Sequence, residues 1–253
     1  MTTFQVALVA LLCVITYPFV VGFDWIAARM KIKKVYDVEV TAAQLRRERW
    51  NSVFTTPIHP AMLALAILGR IMRIGPETWV SAALTFALTF AWTEVYHYVL
   101  HRAIHLRGLH FIHREHHRSH ITNTWTSISF SFYEEFLFAL GVMGFLSLAS
   151  QWHAISMYGV VAYYVLYFLT NTLGHSNLEI NAPGYMQTLF GRIFTTSAYH
   201  AMHHARYVKN YGLLTRLMDR LFDSEWSDTS QVQTRAAQGR PLRSLRERLD
   251  GQG

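Results

Sequence analysis

The chain has 253 residues, is 51% hydrophobic and 14% aromatic, and carries only 15% charged residues, well short of the quarter or so usual in soluble proteins. So much apolar surface excludes intrinsic disorder, and a single cysteine, Cys13, excludes a disulfide scaffold. Against this background stand a formal net charge of +7 and 14 histidines, eight within 97–120 and four within 175–204.

Taken in chain order, Met1 to Phe23 holds no Asp, Glu, Lys, Arg or His. It lacks the basic start and clear A-x-A site of a secretory signal, so it reads as a spanning helix kinked at Pro18. Trp50–Gly69 has only His59, Thr78–Thr93 has none of these residues, and Phe136–Leu178 has only His153 and His175. About 20 apolar residues cross a bilayer. These runs predict spans near 3–23, 52–72, 78–100, 132–150 and 153–173, with Ser150-Gln151-Trp152-His153 as the last turn. The expected fold is an all-α, multi-pass transmembrane helical bundle of about four to five spans, the lower count applying if an apolar segment is re-entrant.

With residue 1 outside, segments 24–51, 101–131 and 174–253 share one face and hold 21 of the 23 Lys/Arg, leaving Arg70 and Arg73 opposite. Cytoplasmic loops carry such an excess, so this face and the C-terminus are expected in the cytoplasm. Anionic headgroups beside it account for the positive charge without a nucleic-acid partner. One domain is expected over 1–226. A basic polar tail, 227–253, follows, and its Leu242, Leu245 and Leu249 suit a frayed end or a short helix on the membrane surface.

Most histidines fall on that same face. His97, His101 and His105 form one helical stripe, while His113-x-x-His116-His117 and His200-x-x-His203-His204 each gather three imidazoles within about a turn. An HxxHH block is expected roughly 0.04 times by chance at this histidine content. Neutral imidazole suits iron, zinc or copper, and eight or nine exceed the ligand count of one metal, so two metals are implied. Isolated histidines near apolar helices are usually packed or hydrogen-bonded, the reading given to His59, His153, His110 and His120. Clustered ones would repel if charged and stay unpaired if neutral.

The ordered set HRxxH (101–105), HxxHH (113–117), an apolar hairpin and HxxHH (200–204) resembles the fatty acid hydroxylase/sterol desaturase superfamily of membrane di-iron enzymes. Asn123, Thr126 and Glu134, the lone His175, Asn210-Tyr211-Gly212 and Met218-Asp219-Arg220-Leu221-Phe222 agree with its other signatures, and the match runs from about Glu94 to Trp226. The resemblance implies a transmembrane base with a cytoplasmic histidine-rich cap. It also implies two Fe ions held by His101, His105, His113, His116, His117, His175, His200, His203 and His204, with O2 as co-substrate. No catalytic residue is assigned beyond the metal ligands. Departures occur at Ser129 and Ser131, where the family often has Arg and His, and at Asn171, where some members have a histidine. Met218 and Asp223 stand where Trp and Gly are usual. His97 sits one turn before the ligand stripe, beside it. Glu94 either accepts a ligand's N–H and sets its tautomer or is a lone polar group near a helix end.

The implied activity is O2-dependent hydroxylation of an unactivated C–H bond in a lipid or other hydrophobic molecule, with desaturation or sterol methyl oxidation as alternatives on the same site. Glu134-Glu135 and the aromatic stretch Tyr158–Phe168 are candidates for the pocket or its mouth, against a plain packing role. A membrane metal-binding or transport protein and a zinc hydrolase are alternatives of other classes. Ligands clustered at one face, with no polar ladder through the helices, argue against transport. Imidazoles alone do not choose iron over zinc. The chain has no dinucleotide fingerprint or haem motif, so an external electron donor is expected, a cytochrome b5-, ferredoxin- or rubredoxin-like protein.

Overall fold

A computed structural model describes residues 15–26, 29 and 33–250. Helix α1 (Ile15–Ile26) continues through Pro18, and the earlier part of the first expected span lies outside the described residues. Strand β1 (Lys33–Lys34) precedes α2 (Ala42–Thr55) and α3 (Ile58–Leu68). Pro57 begins α3, where its missing N–H costs nothing, and it breaks the ladder from α2. The expected span 52–72 is therefore the end of α2, a turn and α3, not one uninterrupted helix. Then come α4 (Trp79–Ile104), α5 (His110–His113), 3₁₀ turns at His116–Arg118 and Thr124–Ile128, α6 (Phe132–Ala149) and α7 (Met157–His175). Strand β2 (Leu178–Glu179) pairs antiparallel with β1, Lys33 opposite Glu179. The short helices α8 (Ser197–Arg206), α9 (Leu217–Leu221) and α10 (Thr229–Ala237) complete the chain.

Helix starts follow local chemistry. Thr41, Thr78, Ser131, Ser156 and Thr196 each accept a backbone N–H three residues on, satisfying donors that a first turn leaves free. Helix α4 packs along α7, α3 along α6, and α6 also touches α4. Leu63, Ile67, Leu146, Met157 and Val160 form the core of that assembly, and Val20 of α1 joins Trp125, Ile128 and Phe168. At the α4–α7 crossing the backbones meet at Gly159, where a Cβ would lie 2.5 Å from the Ala82 carbonyl oxygen.

Apolar side chains also cover the outside: Leu65, Leu68, Leu140 and Leu148 are exposed. The stretches Ala42–Leu68 and Phe132–Ala149 are long and apolar enough to cross a membrane. The loops around Arg73 and Ile155 are tied by backbone hydrogen bonds, and they bring Arg70, Arg73 and Trp152 to the end of the bundle where α4 begins with the exposed Trp79. Tryptophan and arginine together are typical anchors at a membrane–water interface.

Two expectations are corrected. Helix α4 does carry a polar ladder: Ser81, Thr85, Thr89, Thr93 and His97 recur every fourth residue and are all buried. Two of its hydroxyls are engaged within the bundle: Thr89 Oγ1 donates to the Thr85 carbonyl at 2.6 Å, and Thr85 Oγ1 accepts from Ser156 N at the start of α7 at 3.0 Å. Small side chains here let α7 approach closely. The described residues after Trp226, 227–250, are neither frayed nor a surface helix. Helix α10 lies against α8, and Leu242, fully buried, exchanges backbone hydrogen bonds with Val35 and Asp37 at 2.8 Å. Arg206 and Asp228 form a buried two-pronged pair at 2.6 and 2.8 Å.

Gly159→Ala should lower stability by about 1–3 kcal/mol through overpacking against α4, measured as a fall in the thermal unfolding midpoint in detergent.

Candidate metal centre

Five elements bring nine imidazoles to one end of the bundle. Helix α4 carries His101 in its last turn and is capped by His105; α5 supplies His113, and the turn after it His116 and His117. His175 is the last residue of α7, and α8 supplies His200, His203 and His204. Two groups result, His101, His105, His113, His117 and His203 in one and His116, His175, His200 and His204 in the other. Within each, one ring nitrogen from every histidine lies within 4.8 Å of the others. All nine histidines singled out in the sequence are thus brought together, and His59, His97, His110, His120 and His153 fall in neither group. His110 and His120 instead flank Tyr207.

The outward nitrogens determine what the inward ones can do. His101 Nδ1 donates to the Tyr211 carbonyl at 2.7 Å and His113 Nδ1 to Glu134 at 2.6 Å. His116 Nδ1 donates to the Ser129 carbonyl at 2.9 Å and His175 Nδ1 to that of Asn171 at 2.8 Å. Lys209 and Ser119 carbonyls do the same for His203 and His204. A carbonyl only accepts, as does an ionised carboxylate at Glu134, so each of these rings, when neutral, then has its Nε2 lone pair turned inward. His101 and His113 then oppose two lone pairs across 3.0 Å, as do His116 and His175 across 3.2 Å. Protonation could relieve this. Burial first, and then neighbouring imidazoles, push His113, His117, His200, His203 and His204 well below the ordinary histidine range. A cation in each group satisfies both constraints, and the all-imidazole donor set fits iron, zinc or copper.

Buried carboxylates hold the loops that supply these carbonyls. Asp219, fully buried, accepts from Tyr211 N at 3.0 Å, Gly212 N at 2.6 Å, Tyr199 Oη at 2.8 Å and Ser224 Oγ at 2.7 Å. A Cβ at Gly212 would lie 2.2 Å from the Thr215 carbonyl oxygen. The Asn-Tyr-Gly and Asp-Arg-Leu-Phe signatures are therefore one hydrogen-bonded unit behind His101. Tyr207, Lys209 and Asn210 all have positive φ (69°, 65° and 52°), strain of the kind that concentrates at functional sites. Here it turns the chain so that Lys209 and Tyr211 face the histidines. Asp223, where the family usually has glycine, has φ of 50°. Glu48, also fully buried, accepts from Ser119 Oγ, Asn123 Nδ2 and Thr126 Oγ1 at 2.5–2.9 Å, fixing the loop whose carbonyls hold His116 and His204.

Glu94 does not touch a ligand. It accepts from Thr215 N at 2.9 Å and from Thr215 Oγ1, while Glu134 holds the N–H of His113. The sequence disguised Glu134 because Ser131-x-x-Glu134 reads as a helix cap, and Ser131 does cap α6. Ser129 acts through its carbonyl. Asn171 is turned away as an amide donor, giving Nδ2 to the Ser127 carbonyl at 2.7 Å. Glu48 carried no signal, lying in Arg46-Arg47-Glu48-Arg49, which resembles a solvated face.

An apolar cavity of about 70 Å³ adjoins the histidines, lined by Phe138, Val142, Met143, Leu146, Val160 and Phe168 among others. His97 lines it with its ring 5.1 Å from that of His101, and Phe130 lines it while stacked on His116 at 4.4 Å. Of the expected pocket residues, Glu135, Tyr163, Tyr164 and Tyr167 line it, whereas Glu134 belongs to the histidine cluster.

Glu134→Ala should free the ring of His113 and weaken metal binding about ten- to hundred-fold, read by metal titration of the purified protein. Imidazoles held neutral in the fold but protonated in the unfolded chain stabilise above their unfolded pKa, and that stability is lost as pH falls. The metal-free protein should therefore lose stability below about pH 6.5, by about 1.4 kcal/mol per pH unit for each such ring, followed by thermal unfolding across a pH series.

The family model for fatty acid hydroxylase matches residues 86–224. The very-long-chain aldehyde decarbonylase GL1-4 of Oryza sativa subsp. indica is 27% identical over 119 residues, 44% of this chain and 18% of that protein. GL1-6 of the same plant is 28% identical over 132 residues, 51% of this chain and 20% of its own length. The matched region thus spans about a fifth of these relatives. No solved structure matches the chain. Because the family match covers more than half of the sequence and contains all nine clustered histidines, Glu134 and Asp219, the chain belongs to the fatty acid hydroxylase family.

Proposed function

We propose that the chain is an O2-dependent di-iron monooxygenase that hydroxylates an unactivated C–H bond of a lipid or lipid-like molecule. The observation that carries this reading is the pair of imidazole groups, each with inward lone pairs opposed at about 3 Å, beside an apolar cavity. One C–H bond, O2, two electrons and two protons give an alcohol and water. Two iron ions, when bound, would supply the redox chemistry of that conversion.

The residues of the chain supply the rest. His101, His105, His113, His117 and His203 would hold one ion, and His116, His175, His200 and His204 the other. The four-residue group leaves room for a further ligand. Carbonyls of Tyr211, Ser129, Asn171, Lys209 and Ser119, with Glu134, hold the rings in their donating tautomer and orientation. Phe130 and His97 separate the rings from the cavity, whose apolar wall would take a hydrocarbon chain and exclude water. Electrons would come from a separate redox protein at the basic face, which we assign to the cytoplasm in a bundle of four or five spans.

A second reading is favoured by the relatives. Both are named very-long-chain aldehyde decarbonylases, so the same site could act on a long-chain aldehyde and give a product one carbon shorter.

Lipid mass spectrometry of cells with and without the chain tests both readings. A gain of one oxygen supports hydroxylation, a loss of two hydrogens would replace it by desaturation, and loss of one carbon would favour the second reading. His116→Ala and His203→Ala should each reduce bound iron and abolish turnover; retained turnover would remove them as ligands. A single zinc and no iron in the purified protein would overturn the di-iron proposal. A reporter at residue 253 found outside the cytoplasm would reverse the orientation.

A further inference from the structure

The ligand cluster leaves several polar groups in the apolar cavity without a role. His59 of α3 and Glu135 of α6 are joined by an Nδ1–Oε1 hydrogen bond of 2.7 Å. Both line the cavity, with side chains 16% and 12% exposed. That bond uses one atom of each, so a carboxylate oxygen and a ring nitrogen remain for a ligand. Thr56 Oγ1 and His97 Nδ1, buried in the same wall, have no hydrogen-bond partner among the described residues. Buried polar atoms without partners are uncommon and call for an explanation.

These groups collect at one part of the cavity. Glu135 follows Glu134, which holds His113; His97 lies one turn before His101; Thr56 and His59 flank the start of α3. Val142, Met143 and Leu146, about two to three turns beyond Glu135 along α6, and Val160, near the opposite end of α7 from His175, make the rest apolar. No Lys or Arg is among the lining residues. The imidazole of His59 is already engaged by Glu135, so an anionic head would meet that carboxylate with no further cation to offset it, and an added unpaired charge of that kind is excluded strongly. A hydroxyl is the complementary group. It can donate to the carboxylate and accept from the Thr56 hydroxyl, whereas a carbonyl can satisfy no acceptor.

We propose that His59 and Glu135, together with Thr56 and His97, form a binding site for the uncharged hydroxyl head of an amphiphilic substrate whose hydrocarbon chain occupies the apolar part of the cavity. This rests on the cavity being the substrate pocket of the proposed enzyme. It adds substrate class and direction: the head lies beside the histidines, so the carbon oxidised is counted from the hydroxyl and not from the methyl end. His59 and Thr56 lie before the family-matched region, so this part of the site belongs to the segment of the chain that the family match leaves out.

Equilibrium binding of labelled hexadecanol, hexadecanal, hexadecanoate and hexadecane to the full chain, purified in detergent with its metal retained, tests the proposal. Hexadecanol should bind about tenfold or more tighter than hexadecane and hexadecanoate, the scale of one or two hydrogen bonds in an apolar site. His59→Leu and Glu135→Leu should remove that preference while hexadecane binding and metal content stay unchanged. Hexadecanoate binding as tightly as hexadecanol would overturn the site, and so would a preference that survives both substitutions. Tighter binding of hexadecanal than of hexadecanol would overturn the choice of a hydroxyl. If either variant fails to fold, the ranking on the unmodified chain decides. Binding requires no turnover, so a chain that ranks the four probes as expected yet oxidises no lipid would defeat the proposed reaction and leave this site standing.

Discussion

The opposed lone pairs of His101 and His113, and of His116 and His175, are the constraint on which the rest of the structure depends. Neutral imidazoles whose outer nitrogens donate to carbonyls or, for His113, to the Glu134 carboxylate cannot hydrogen-bond to one another, and burial opposes their protonation. Such an arrangement is unfavourable for the bare protein and favourable only with a cation between the rings. Everything that holds the outer nitrogens therefore contributes to metal affinity.

Much of the cap can be understood as support for those outer contacts. Asp219 anchors the loop that carries the Tyr211 carbonyl, Glu48 the loop that carries Ser119 and Ser129, and three consecutive-region residues at positive φ turn Lys209 inward. Each support is a buried carboxylate or a strained backbone position, both of which cost stability when isolated. They persist because the surrounding hydrogen bonds are satisfied: four donors converge on Asp219 and four, Gln44 Nε2 included, on Glu48. The segment after Trp226 completes this frame, since α10 and Leu242 cover α8 from the side opposite the metal ligands.

Two helices, α4 and α7, run from the apolar interior into this polar cap, and α7 ends on His175. Along α4, buried hydroxyls give way to His97 and then to His101 and His105. The small hydroxyl residues allow close packing with α7 at Gly159, and the last of them borders the cavity. Helices α4 and α7 together set the distance between the apolar cavity and the imidazoles.

The amino-acid sequence by itself determined the apolar helices, the clustering of nine histidines and the signatures that accompany them. These depend on composition and on spacings of three and four residues, which any helix converts into one face. It also made the helix starts legible through Thr78, Ser131, Ser156 and Thr196. Only the tertiary structure decided that the nine divide five and four, that Glu134 and not Glu94 supports a ligand, that α2 and α3 are separate, and that Leu242 is core. Local sequence favours Glu94, which shares α4 with His97 and His101, over Glu134, which stands beside Glu135 at the start of a helix without histidine, and only the packing of α6 beside α5 brings Glu134 to His113. The same holds for the partner of His59, whose isolated position suggested a packed or hydrogen-bonded residue and which meets Glu135 only where α3 packs on α6. Contacts between residues far apart in the chain leave no periodicity to read, so they become visible only when the helices are assembled.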